Sequence, residues 1–159
     1  VKLTTINKKF RQGVYTPVNP QKYRGNDLPR FLSSWELKLF RWCDMNDDVI
    51  EWSSESIAIP YHNPITEKTS HYFPDIMMKM KINNQIKKYM VEIKPFRQTQ
   101  DPKNFDQSRK RKKTIIYENL NYLKNVAKWS AAKKWCVSQG YEFNILTEKE
   151  LGINKYDYK

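Results

Sequence analysis

Asp75, Glu92 and Lys94 are the residues of this chain whose types and spacing could do chemistry together. Pro74-Asp75 opens an apolar run that reaches Ile82, and Glu92-Ile93-Lys94 closes a second run that begins at Gln85. Asn83-Asn84 lies between them, and Asn tolerates the positive φ that a two-residue hairpin loop requires. Ile82 then faces Gln85 and, counting outward, Asp75 faces Glu92 with Cβ atoms ~5 Å apart. Two carboxylates at that separation suit one hard cation, magnesium or manganese in its place. Lys94 projects from the same face, where its amine can orient or deprotonate a water or stabilise developing negative charge. Together these groups would suit metal-assisted phosphodiester hydrolysis. The same three residues could equally form a cross-strand salt-bridge network on an exposed sheet face. Without a cation, two adjacent buried carboxylates repel, and Lys94 offsets only part of that cost.

The strand period of two sorts the hairpin that must hold them. Ile76, Met78, Met80, Ile82, Tyr89, Val91 and Ile93 share an apolar face, and Asp75, Lys79, Lys81, Lys88, Glu92 and Lys94 share a charged one. Upstream, Phe31 to Asp44 has a helical pattern, and Ser33 followed by Glu36 makes a capping box. Trp35, Leu39, Trp42, Cys43 and Phe40 form one apolar arc that also contains Glu36. A carboxylate there is costly unless a hydrogen bond or a metal holds it. Val49 to Trp52 and Ser56 to Tyr61 read as extended, with a turn at Asn63-Pro64. The hairpin's first strand is expected to run unbroken from Tyr72 to Ile82. A basic loop over 96–113 leads into a long helix predicted from about Thr114 to Gln139. Its stripe is Ile116, Leu120, Leu123, Ala127, Ala131 and Trp135, and Gly140 supplies the C′ residue. Tyr141 to Leu146 alternate as a strand, and Thr147 with Glu150 caps a last helical turn. This order predicts an α/β domain with a mixed sheet.

The chain's 159 residues fit one domain, expected to span 31–159 behind a basic N-terminal arm over 1–30. Lys and Arg number 29 against 17 acidic residues, a net charge of +12, which points to a polyanionic partner, nucleic acid before an acidic membrane, unless the domain is simply basic. Arg109, Lys110, Arg111, Lys112 and Lys113 form the densest basic run and are the expected phosphate contacts, unless part of the run is simply solvated. With no recognition helix or stacking platform legible, contacts are expected mainly to the backbone, with little sequence preference. Gln98 and Gln100 could touch substrate or simply face solvent. No apolar run nears the ~20 residues of a spanning helix, and Val1 to Phe10 lack the apolar stretch of a signal peptide. Four glycines without a Gly-rich loop argue against a nucleotide cofactor, and Cys43 and Cys136 are expected to be buried thiols of a cytosolic protein.

Pro74-Asp75 with Glu92-Ile93-Lys94 resembles the signature of the PD-(D/E)xK nucleases, and the element order is similar to that superfamily's αβββαβ core. Ser33-Ser34-Trp35-Glu36, Trp42-Cys43-Asp44, Ile59-Pro60-Tyr61, Tyr72-Phe73-Pro74-Asp75 and Glu92-Ile93-Lys94-Pro95 resemble the head-completion nucleases of T-even-like phages. Lys128-Trp129 and Leu146-Thr147-Glu148 fit as well, so the resemblance spans roughly residues 20–153. It implies a restriction-endonuclease-like fold, a central mixed sheet flanked by helices. It also implies a magnesium-dependent DNA endo- and exonuclease, with Asp75, Glu92 and Glu36 as metal ligands and Lys94 as the catalytic lysine. The expected setting is phage head completion before the tail joins, in the host cytoplasm or with the virion head. Head, portal or neck proteins are the expected partners. Two other readings remain open: a non-catalytic, basic DNA-binding structural protein of the head or neck, and a recombination nuclease subunit like the more distantly similar TnsA.

Overall fold

The computed structural model describes residues 5–7 and 12–152. Parts of the expected arm (1–4 and 8–11) and the end of the expected domain (153–159) lie outside the described residues. Three short strands, β1 (Thr5–Asn7), β2 (Gln12–Val14) and β3 (Arg30–Phe31), pair antiparallel and lead into helix α1 (Ser34–Met45). Ser33 caps that helix, its Oγ accepting from the Glu36 backbone N–H at 3.2 Å. The expected reciprocal bond is displaced by one residue, because the Glu36 carboxylate accepts from Leu32 N at 2.6 Å.

The central sheet has the order β4 (Val49–Ser54), β7 (Ile76–Ile82), β8 (Gln85–Ile93), β9 (Glu142–Leu146). Its first three strands are antiparallel, and β9 is parallel to β8. A parallel neighbour needs a long crossover, which α2 (Lys112–Gln139) provides before the chain returns as β9. Gly140 closes α2 at φ 72°, the left-handed conformation of a helix C′ residue. Helix α3 (Glu148–Leu151) follows, with Thr147 and Glu150 forming the expected capping box. Apart from an inserted hairpin, β5 (Ile59–Asn63) with β6 (Lys68–Tyr72), the order α1-β4-β7-β8-α2-β9 is the αβββαβ core of a restriction-endonuclease-like fold.

The hairpin register is the predicted one, with Ile82 opposite Gln85 and Ile76 opposite Val91, around Asn83 and Asn84 at φ 51° and 61°. The unbroken strand from Tyr72 to Ile82 is not found. Tyr72 pairs with Ile59 in the inserted hairpin, and the chain leaves that ladder at Phe73 before entering β7 at Ile76. Pro74 explains the break, since it has no N–H for a ladder and restricts the residue before it.

Each sheet face has its own core. One is built from Trp35, Leu39, Phe40 and Cys43 of α1 against Trp52, Ile76, Met78, Val91 and Ile93. Tyr15 and Phe31 from the expected arm and its border join this core, and Tyr23 packs against it. Asp44, fully buried, accepts from Tyr15 Oη (2.5 Å), Val18 N (2.7 Å) and Asn19 N (2.9 Å). These bonds offset the cost of enclosing its charge and fasten residues 15–19 to α1.

The opposite face differs from the uniformly charged one expected. Met77 and Met90 lie among its charged residues and form a second core with Tyr61, Tyr72, Ala132 and Cys136. Lys79 pairs with Glu51 at 3.2 Å, and Lys88 sits over the Tyr141 ring. The predicted stripe of α2 holds in its second half, where Ala127, Ala131 and Trp135 pack against this second core, and needs correction in its first. Ile116, Leu120 and Leu123 are exposed, while Asn125, Trp129, Ala132 and Cys136 are buried. The second half of this helix packs on the β5–β6 hairpin and the central sheet, whereas these three apolar residues of its first half face solvent. Both cysteines are buried and unpaired, and burial pushes the Cys43 thiol up to about 12.

Candidate active site

The break between β6 and β7 places Asp75 beside the end of β8. Pro74 is buried just before it, and Asp75 Oδ2 accepts from the Ile93 backbone N–H at 2.7 Å. Glu92, the next residue back on β8, is 5% exposed. One of its oxygens accepts a short hydrogen bond from the Tyr72 hydroxyl, and the other lies 3.4 Å from Lys94 Nζ. The Lys94 backbone N–H donates to Leu146 O at 3.0 Å, so β9 fixes the strand end from which this side chain projects. The hairpin therefore brings Asp75, Glu92 and Lys94 together on one side of the sheet.

Burial is the main cause that raises the Asp75 carboxyl well above the usual carboxylate range. The Glu92 charge adds to it and Glu36 contributes in the same direction, against the Ile93 N–H and Lys94. Glu36, in the first turn of α1, is also raised by burial, held down by the Leu32 N–H, and raised again by Glu55 and Glu92. Four carboxyl groups, Asp75, Glu92, Glu36 and Glu55, thus interact around a single ammonium group from the motif. Among the described residues, no three His, Cys, Asp or Glu side chains already converge as a ligand cage. What the site offers a cation is a hard, all-oxygen donor set whose negative charge Lys94 only partly balances. That chemistry fits magnesium or manganese better than a soft metal.

Three further residues belong to this neighbourhood, and the sequence alone assigned them no role. Tyr72 holds Glu92, and burial followed by the Glu92 charge raises its hydroxyl above the usual phenol range. Lys128 reaches in from α2, with Nζ 5.9 Å from the ring centroids of both Tyr61 and Tyr72. Burial lowers its ammonium from the usual lysine range, with Lys124 and Lys94 adding to the effect and Glu92 and Asp75 opposing it. Glu55 stands at φ 48°, a conformation side chains other than Gly rarely adopt, where its N–H meets Asp75 O at 3.4 Å. Tyr72 and Lys128 lie in segments that carry the resemblance, but neither residue type nor spacing showed what they would touch. Tyr72 sits in a separate hairpin, and Lys128 comes from a helix 34 positions after Lys94.

The expected phosphate contacts divide. Arg109, Arg111, Lys112 and Lys113 are exposed, whereas Lys110 is half-buried and bound to Glu118 at 2.7 Å. Lys112 and Lys113 belong to the first turn of α2 rather than to the loop. No helix of the described residues is long and apolar enough to cross a membrane.

The family described as TnsA-like endonuclease N terminal matches residues 46–148, a range that contains Asp75, Glu92, Lys94 and Lys128. The head completion nuclease of Enterobacteria phage T4 is 36% identical over 141 residues, covering 87% of this chain and 92% of that protein.

Proposed function

Because the chain belongs to the TnsA-like endonuclease family, as a relative of a phage head completion nuclease, we propose that it is a metal-dependent deoxyribonuclease of phage head completion. The observation that carries this reading is the meeting of Asp75, Glu92 and Lys94 at the β7–β8 end, with Tyr72 fastening Glu92.

Asp75 and Glu92 would hold the cation, with Glu36 contributing from α1. Magnesium is the expected ion and manganese a substitute. When bound, it would supply positive charge to the phosphoryl oxygens as a Lewis acid. The chain's own groups do the rest. Lys94 orients the attacking water and stabilises charge that develops at the phosphorus. Tyr72 keeps Glu92 in one rotamer by donating to Oε2, so that ligand orientation is fixed before DNA arrives. Lys128 adds a second ammonium from the α2 side, where it would hold a non-bridging phosphate oxygen. Exposed Arg109, Arg111, Lys112 and Lys113 would track the DNA backbone. Acting on DNA as an endo- and exonuclease as heads are completed, the protein would work in the host cytoplasm or at the virion head, beside head, portal or neck proteins, and would need no nucleotide cofactor.

Supercoiled plasmid tests the reading. Relaxation and linearisation are expected in magnesium and should stop with EDTA or with Asp75→Ala. Cutting that survives both treatments would overturn the mechanism. DNA binding without cutting in any divalent ion would instead leave a basic structural protein. Activity that needs a second protein would place the chain with TnsA-type subunits.

A further inference from the structure

A cavity of about 500 Å³ opens directly beyond the motif lysine, between the loop that follows β8 and the first half of α2. Pro95, the residue after Lys94, forms part of its wall, so the cavity begins one residue from the site described above. Two short 3-10 turns, Phe96–Thr99 and Pro102–Asn104, shape the loop side. Three aromatic rings, Phe105, Tyr117 and Tyr122, line it together with three side-chain amides, Gln98, Gln100 and Asn121. Arg97 lies over the Phe105 ring at 4.7 Å. Glu118 is the one acid in the lining, and Lys110 already neutralises it.

Flat apolar rings with interspersed amides match the chemistry of a nucleobase. The rings offer stacking faces, and amides can donate to and accept from a base edge. The volume lies within the range of ligand-sized cavities. Phosphate-binding charge is at hand, since Thr114 lines the cavity and exposed Lys112 and Lys113 immediately precede it. A base paired and stacked in a duplex cannot enter such a space, whereas an unpaired one can enter at little cost. We infer that this cavity binds an unpaired nucleobase of the DNA strand under attack, so that frayed ends, single-stranded tails and gaps are the preferred substrates. The inference rests on the nuclease reading for its substrate, and it adds a base contact to the mainly backbone contacts that the sequence suggested.

Tyr117 is the residue with which to test it, because it is 69% exposed on the helix surface and its loss does not threaten the core. The probe is a duplex carrying a three-base single-stranded tail with 2-aminopurine in the tail, bound to the intact chain in EDTA. A fully paired duplex with internal 2-aminopurine is the control. The tail's fluorescence should be quenched on binding and the internal probe's should not. Tyr117→Ala should abolish most of the quench and weaken binding of the tailed DNA by about tenfold, the scale of one lost base–aromatic stack, with less than a twofold effect on the paired duplex. Tyr117→Phe, which keeps the ring, should behave as the parent. The inference is overturned if Tyr117→Ala weakens both DNAs equally or neither, the latter being the result if the cavity serves a protein partner. It is overturned equally if Tyr117→Phe fails as the alanine variant does. Because binding is read in EDTA, failure of the chain to cut any DNA in magnesium would sink the nuclease reading separately.

Discussion

Tyr72, Asp75, Glu92 and Lys94 depend on one another, and this gives the site a thermodynamic signature. The folded chain raises the Asp75 carboxyl, first through burial and then through the Glu92 charge. A group whose folded pKa lies above its unfolded one contributes stability that is full below the unfolded value, about 3.9 for Asp, and is lost as pH rises through the folded value. Asp75→Asn has no charge to bury and can still accept from Ile93 N. In EDTA it should therefore melt higher than the parent at neutral pH, by ~2–4 °C for about 1 kcal/mol, and the gap should close near pH 4. Thermal scans across pH check this, and a gap that widens toward acid would contradict it. Tyr72→Phe deletes the hydroxyl that donates to Glu92 and should cost about 1–3 kcal/mol of stability. Single-turnover cutting should slow by roughly tenfold with little change in DNA affinity, because the lost group orients a ligand and touches no DNA. The acids and the lysine were legible in the sequence because one tight hairpin sets their register. Tyr72 and Lys128 were not, because each arrives through a contact distant in the chain.

At the scale of elements, what could be read tracks how local the determinant is. Asn83-Asn84 specifies its own turn, Ser33 caps its own helix, and Gly140 ends the next one, so those boundaries were legible. The run from Tyr72 to Ile82 misled because its composition is continuous although Pro74 divides it between two sheets. On α2 the apolar spacing at Ile116, Leu120 and Leu123 is real but faces solvent, whereas Asn125, Trp129, Ala132 and Cys136 are buried, the last two against Met77 and Met90 of the sheet. A periodicity shows that a helix has a face; only the length of the surface beneath it decides how much of that face is covered. Paired substitutions check this division. Leu120→Ala should change unfolding free energy by less than about 0.5 kcal/mol, as at other exposed positions. Trp129→Ala should cost about 3–5 kcal/mol through the cavity it leaves. Denaturant titration of both variants decides the matter, and equal costs would contradict the packing described.

Across the whole molecule, basic residues outnumber acidic ones by a net charge of +12. Some of that charge is internal: Lys110 answers Glu118, Lys79 answers Glu51 and Lys94 answers Glu92. Exposed Arg109, Arg111, Lys112 and Lys113 are free to meet phosphates, and composition alone could not separate them from their paired neighbour. If each neutralises one phosphate of duplex DNA, replacing all four with Gln should lower the slope of log affinity against log salt by ~3–4. Binding isotherms at several salt concentrations provide the check, and an unchanged slope would place the DNA elsewhere on the surface.

Cation binding by Asp75 and Glu92 is tested most directly by a manganese soak of crystals of the protein, followed by anomalous scattering. A peak touching carboxylate oxygens of both Asp75 and Glu92 is expected, absent in Asp75→Asn crystals treated in the same way. A chain that cuts DNA in manganese while its crystals show the ion only at other acids, or bound unchanged in the Asp75→Asn variant, would contradict it.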